Sequence, residues 1–152
     1  MAHSKITRTG KIGIVSGDIR VDIDLSRFDK QFQEAQYWLD GQVWNDMEKY
    51  MPFRDGNMRN VALAQSKALQ GAGKVVAGPR PHGQFLYEGK VMVDPETGSP
   101  WARKGAKKVV TDRPLEFSKA VHPDATDHWF DPAKAESLDK WVKGVKKRAG
   151  GK

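Results

Sequence analysis

The sequence predicts an α+β fold: a small antiparallel sheet packed with one long helix in the N-terminal half and a C-terminal helix, with a long basic loop or hairpin between them. Three patterns carry this expectation. Ile19, Val21, Ile23 and Leu25 alternate with Asp18, Arg20, Asp22 and Asp24, the period of two that marks a strand with one core face and one wet face. Phe28, Phe32, Ala35, Leu39, Val43, Met47 and Tyr50 recur every three or four residues, which is the apolar stripe of an amphipathic helix. Ala135, Leu138, Trp141, Val142 and Val145 repeat that spacing near the C-terminus.

The elements follow in order. Met1 to Gly17 is polar, basic and punctuated by glycine, with a short apolar patch at Ile12, Ile14 and Val15, so it is expected to be a flexible arm or a weak first strand. After the strand at 19–25, Ser26 stands where a helix N-cap belongs and Asp29 falls in the favoured first turn. The helix runs until Pro52 forbids its continuation, a length of roughly 36 Å at about 1.5 Å per residue. Trp38 and Trp44 lie off the middle of its stripe and either pack under another element or face a neighbouring subunit.

Beyond the Asp55-Gly56-Asn57 turn, Arg59 to Leu69 suits a strand or a short helix equally. Gly71-Ala72-Gly73 predicts a turn before a strand at Lys74 to Ala77, which Pro79-Arg80-Pro81 closes. Phe85-Leu86-Tyr87 is expected as a short apolar turn before Gly89, with strand pattern resuming at Val91 to Val93. Asp94 to Pro114 alternates prolines and glycines with lysines and arginines; so long an excursion is usually functional or disordered, and Val109-Val110 would supply its return strand if it is a hairpin. Asp131-Pro132 opens the last helix, proline being at home in a first turn, and Gly150-Gly151 ends it.

The chain has 152 residues, 38% of them hydrophobic. That suits one domain burying roughly two thirds of the surface its unfolded chain exposes. Residues 18–149 are therefore read as a single α+β structural domain, with 1–17 as the arm and 150–152 as a tail. Phe28, Phe32 and Leu39 on the first helix, and Trp129, Phe130 and Trp141 at the second, are the expected core anchors. No apolar run approaches the ~20 residues needed to cross a bilayer, and the first residues lack a signal-peptide core, so synthesis in the cytoplasm and no membrane association are expected.

The balance of 26 basic against 19 acidic residues leaves a net charge of +7. It is unevenly placed. Basic residues gather at Arg103, Lys104, Lys107, Lys108 and Arg113 and again from Lys140 onward, whereas the first long helix carries Asp29, Glu34, Asp40, Asp46 and Glu48. Opposite charge on different elements suits self-assembly as well as polyanion binding. The basic loop, with Trp101 beside it, is the candidate interface. It is either a solvated charge run, a contact for a protein partner, or phosphate and stacking groups for a nucleic acid.

Catalytic chemistry finds little support. With no cysteine, thiolate metal sites and disulfides are excluded. His122 and His128 flank Asp124 and Asp127, yet the segment is short and lacks a helical His-x-x-x-His face, so these are read as loop or capping residues leading into Trp129-Phe130. No serine sits in a glycine-flanked elbow. Gly71-Ala72-Gly73-Lys74 lacks the spacing and the following Ser or Thr of a phosphate loop, and Asp94-Pro95-Glu96-Thr97-Gly98 lacks the alternating ligands of a calcium loop. The expectation is no catalytic residue, no metal and no cofactor.

Three blocks in order carry a family resemblance. They are Tyr50-Met51-Pro52-Phe53-Arg54-Asp55-Gly56-Asn57-Met58-Arg59-Asn60, then Phe85-Leu86-Tyr87-Glu88-Gly89-Lys90-Val91-Met92-Val93-Asp94-Pro95, then His122-Pro123-Asp124-Ala125-Thr126-Asp127-His128-Trp129-Phe130 with the helix through Trp141. Together they resemble the minor capsid, or head-tail joining and tail-completion, proteins of tailed phages and prophages of Gram-positive bacteria. Phe53-Arg54-Asp55-Gly56 departs from the Asp-Thr-Gly common there. The resemblance implies a non-enzymatic virion subunit at the head-tail junction, working in a homo-oligomeric ring between portal-side connector and tail-tube proteins, with a transient DNA contact compatible. The reading from charge alone leaves a second function, a small basic nucleic-acid-binding protein.

Overall fold

A computed structural model describes residues 3–6, 11–16, 18–80 and 82–150. Its elements are β1 (His3–Ile6), β2 (Lys11–Ser16), β3 (Ile19–Asp24), α1 (Ser26–Glu48), α2 (Asn57–Ala68), α3 (His82–Glu88), β4 (Lys90–Val93), β5 (Val109–Pro114) and α4 (Phe130–Arg148). The class is α+β, with a long first helix and a C-terminal helix as expected. The strands, however, form two separate antiparallel sheets, β1-β2-β3 and β4-β5.

The helical body is organised around α1 and α4, which run antiparallel. Gly144 opposes Trp38, Lys140 reaches Asp46 and Glu136 reaches Lys49, so numbers rise on one helix as they fall on the other. A Cβ on Gly144 would run into the Trp38 ring, and the Arg148 guanidinium lies 4.1 Å from that ring's centre on a cation-π contact. Trp38 therefore serves the α1–α4 packing, while Trp44 is buried in the core and lines a small cavity with Leu63 and Ser66 of α2. The core comprises Trp44, Met47, Met51, Ala62, Trp129, Ala133 and Trp141, with Leu39, Val43 and Phe130 packed partly buried against it.

One polar cluster ties the pair together. Asp46 accepts hydrogen bonds from Trp141 Nε1 at 2.7 Å, Lys140 Nζ at 3.1 Å and Gln42 Nε2 at 3.0 Å. Burial pushes its carboxyl up, but those three donors outweigh burial and hold it below the usual carboxylate range. At the far end Glu136 accepts from Lys49 Nζ and the Tyr50 hydroxyl at 2.6 and 2.7 Å.

Several local expectations need correction. Phe28 and Phe32, expected as core anchors, are 51% and 58% exposed, because the first turns of α1 overhang: α4 ends at Arg148 and Gly150 already lies beside Gln31. Strand β3 has the expected alternation, yet all six of its residues are exposed, since among the described residues no helix packs on its apolar face. Ser26 does not cap α1; Asp24, two residues earlier, accepts the Ser26 N–H at 2.9 Å.

Arg59 to Leu69 resolves as helix α2, whose alanines favour that choice. Lys74 to Ala77 forms no strand. It lies beside α2, where Ser66 Oγ accepts the Val76 N–H at 2.9 Å and donates back to the Val76 carbonyl. Phe85 to Tyr87 lies inside helix α3 rather than in a turn, and Gly89 ends that helix at φ +67°. The segment read as the arm contributes β1 and β2, which pair with one another and with β3; residues 1–2, 7–10 and 17 of it lie outside the described residues.

The loop that precedes α4 is a set of staples. Thr126 N–H donates to the Tyr50 carbonyl and His128 N–H to the Tyr87 carbonyl. Trp129 Nε1 reaches the Ala77 carbonyl at 3.1 Å, so the turn after α1, helix α3 and the 74–77 segment are all gripped from one short stretch.

Candidate partner-binding loop

The hairpin β4-β5 pairs Met92 with Val110 and Val93 with Val109, with a register irregularity between Lys90 and Met92. The return strand anticipated at Val109-Val110 is β5. Between the strands the chain is not a loose excursion. Asp94, directly after the buried Val93, has a fully buried side chain, and its carboxylate organises everything that follows.

Asp94 Oδ1 accepts the backbone N–H groups of Glu96 and Thr97 at 2.9 and 3.2 Å. Its Oδ2 accepts both the backbone N–H and Nε of Arg103, at 3.1 and 3.0 Å. The backbone closes the first turn, with Gly98 N–H donating to the Asp94 carbonyl and Asp94 N–H to the Ser99 carbonyl. Gly98 and Gly105 hold φ of +65° and +82°, in open space, a conformation that costs glycine nothing and other residues about 1 kcal/mol or more. Arg103 also donates to Glu96 through Nη1.

The Arg103 guanidinium beside it, then the backbone donors, hold the Asp94 carboxyl far below the usual carboxylate range. A carboxylate with a depressed folded value stabilises the loop above its unfolded value of about 3.9 and loses that contribution only as pH falls through the lower folded value. The loop should therefore keep its shape from neutral pH through mild acid. Asp94→Ala removes the acceptor for four donor groups, and trypsin is expected to cleave after Lys104 and Lys107 several-fold faster than in the wild type at neutral pH. Unchanged cleavage would contradict this anchor.

What the anchored loop displays is Trp101, 84% exposed, with its backbone N–H donating to Ser99 Oγ at 3.1 Å. Lys104, Lys107, Lys108 and Arg113 are exposed along the same hairpin. Of the six residues singled out from sequence, Arg103 differs in role: it is committed to Asp94 and Glu96 and shapes the loop, while the other five remain available at the surface. Sequence reasoning missed Asp94, although an aspartate directly after a strand and before Pro-x-x-Gly is the pattern of a side chain that caps its own turn.

In the histidine region His128 lies between two carboxylates, with Nδ1 3.5 Å from Asp127 and Nε2 3.8 Å from Glu88. His122 Nδ1 lies 2.7 Å from the Met51 carbonyl with its ring 5.3 Å from Phe53, and the His128 ring lies 5.1 Å from that of Tyr87. Among the described residues no group of three or more His, Cys, Asp or Glu is placed to hold a metal, and no helix is long and apolar enough to cross a membrane. Compared with known proteins, the sequence model of the minor capsid protein family matches residues 19–149, which spans β3 through α4. No curated protein and no solved structure matches the chain.

Proposed function

The chain belongs to the phage minor capsid protein family, and on that premise we propose that it is a virion subunit acting at the head-tail junction, arranged with its copies in a ring between portal-side connector and tail-tube proteins. The family supplies the structural role in the phage particle. The observation that carries the finer reading is the Asp94-anchored loop, which spends a buried carboxylate and five hydrogen bonds on holding an exposed tryptophan and a row of lysines in a defined shape. Tryptophan is among the residues enriched at interface hot spots. Nothing about such a loop serves catalysis, and the protein is accordingly read as a non-enzymatic subunit made in the host cytoplasm.

The loop tests the reading without disturbing the fold. Replacing Trp101, Lys104, Lys107 and Lys108 together by Ala, with Arg103 kept, should change stability by no more than about 0.5 kcal/mol per site. The same variant should fail to enter particles when it replaces the wild type during phage growth. Normal incorporation and infectivity would contradict the assignment. The exposed Trp101 with three lysines near it also favours a second reading, contact with DNA. In that case duplex binding by the purified protein should weaken steeply with salt, about one unit of log-log slope for each phosphate neutralised.

A further inference from the structure

Among the described residues His128 alone, glycines apart, has a positive φ, of 42°. A residue with a side chain adopts that conformation at a cost, and it persists only where the surroundings over-determine it. Three contacts do so here. The His128 N–H donates to the Tyr87 carbonyl at 2.9 Å, the His128 carbonyl accepts the Asp131 N–H at 2.8 Å, and the ring lies 5.1 Å from that of Tyr87. The two backbone bonds would serve an asparagine or a glycine equally, and both tolerate such a φ better. The imidazole therefore needs a reason of its own.

Its two nitrogens each face a carboxylate. Nδ1 points to Asp127 of the loop before α4, and Nε2 to Glu88, the last residue of α3. Among the described residues neither carboxylate has another cationic partner, Lys90 at the start of β4 included; Asp127 Oδ1 accepts only the Thr126 hydroxyl, at 3.1 Å. The remaining titratable neighbours add no positive charge. Asp131 begins α4, and burial, then the charges of Asp131 and Glu88, push the Tyr87 hydroxyl up, so the phenol stays neutral around neutrality.

The position is the root of the β4-β5 hairpin. Gly89 follows Glu88, turns into β4 at φ +67°, and its carbonyl accepts the N–H of Leu115, just past β5, at 2.8 Å. A Cβ on Gly89 would lie 2.5 Å from Asp127 Cβ, so the loop and the hairpin root are in direct contact. His128 thus joins the base of the hairpin that displays Trp101 to the start of α4.

We propose that His128 is a pH-sensitive latch between the hairpin root and α4, closed more firmly when its ring is protonated. A neutral imidazole carries one N–H, so one of the two carboxylates always faces a lone pair; the imidazolium donates from both nitrogens. Histidine gains its charge between about pH 8 and 5, while carboxylates keep theirs down to about pH 4. Opening the latch separates the ring from Asp127 and Glu88, so charging the ring favours the closed form. The latch's contribution is therefore present in mild acid and lost as pH rises through histidine's range. All three side chains are about half exposed, which limits the effect to a few-fold. The latch lies within one chain and stands apart from the virion role.

Amide hydrogen exchange of the purified chain at pH 5.5 and 7.5, with each rate corrected for its intrinsic pH dependence, tests the latch. The His128 and Leu115 amides should open about two- to five-fold less often at the lower pH. The difference should vanish in His128→Asn, because asparagine accepts the left-handed backbone without an ionisable ring. It should shrink in Glu88→Gln, a change at an exposed helix end that leaves the backbone alone and carries the test if the asparagine variant does not fold. Equal opening of the wild type at both pH values would overturn the latch. So would an undiminished pH difference in either variant, which would assign the effect to another group.

Discussion

Trp129→Ala should remove about 3 to 5 kcal/mol of stability, enough to leave much of the protein unfolded at 37 °C if its total lies in the usual range of about 5 to 15 kcal/mol. Trp129 is fully buried and is the largest of the wholly enclosed residues; its ring meets Tyr87 edge-on at 4.8 Å; and its Nε1 donates to the Ala77 carbonyl. Truncation opens a cavity at the meeting point of α1, α2 and α4 and leaves a backbone carbonyl short of a donor. Chemical denaturation followed by circular dichroism gives the number. A loss under about 1 kcal/mol would mean that the core is not centred where this packing places it.

Gly83→Ala should cost about 3 kcal/mol, at the upper end of overpacking. Gly83 and Gly78 cross backbone to backbone. A Cβ on Gly83 would collide with the Gly78 main chain and come within 2.8 Å of Pro79 Cδ, and one on Gly78 would lie 2.6 Å from the Gly83 carbonyl oxygen. Main chain cannot rotate aside as a side chain can, so α3 must move, and with it the Tyr87 carbonyl that receives His128. Gly98→Ala makes the useful contrast. Its site is open, so only the positive φ is strained, at about 1 to 2 kcal/mol. Comparable thermal shifts for the two would refute the backbone-crossing explanation.

The sequence speaks plainly where one residue pattern has one physical solution. Pro52 had to end α1, Pro132 belongs in a first turn, and the period of three and four in both helices left little choice about α1 and α4. The pattern is silent about what covers a face. Phe28 and Phe32 continue the stripe of Leu39 and Val43, and no local rule tells that α4 is too short to reach them; the same gap explains β3, whose alternation is real but whose apolar residues are exposed. Val75 and Val76 look like a strand because extended backbone and β-branched residues go together, while the partner that Val76 finds is the Ser66 hydroxyl rather than another strand.

The candidate site was legible in composition and misjudged in role. Lysines, arginines, glycines and a tryptophan between 94 and 114 point to an exposed functional segment. What composition cannot tell is that Asp94 would be buried and that Arg103 would be its partner, since this depends on the return of the chain nine residues later. The distinction matters for experiment: mutating Arg103 with the lysines would confuse a broken loop with a broken interface.

The measurement that bears most directly on the central claim is deletion of this gene from its parent phage, followed by electron microscopy of the lysate. The account predicts heads, filled or emptied of DNA, lying beside separate tails or carrying tails of abnormal length, with infectious particles restored by the wild-type chain supplied in trans. Normal infectious particles from the deletion would contradict a role in joining or completing head and tail, and the contact of Trp101 and its lysines with DNA would then be the function to pursue.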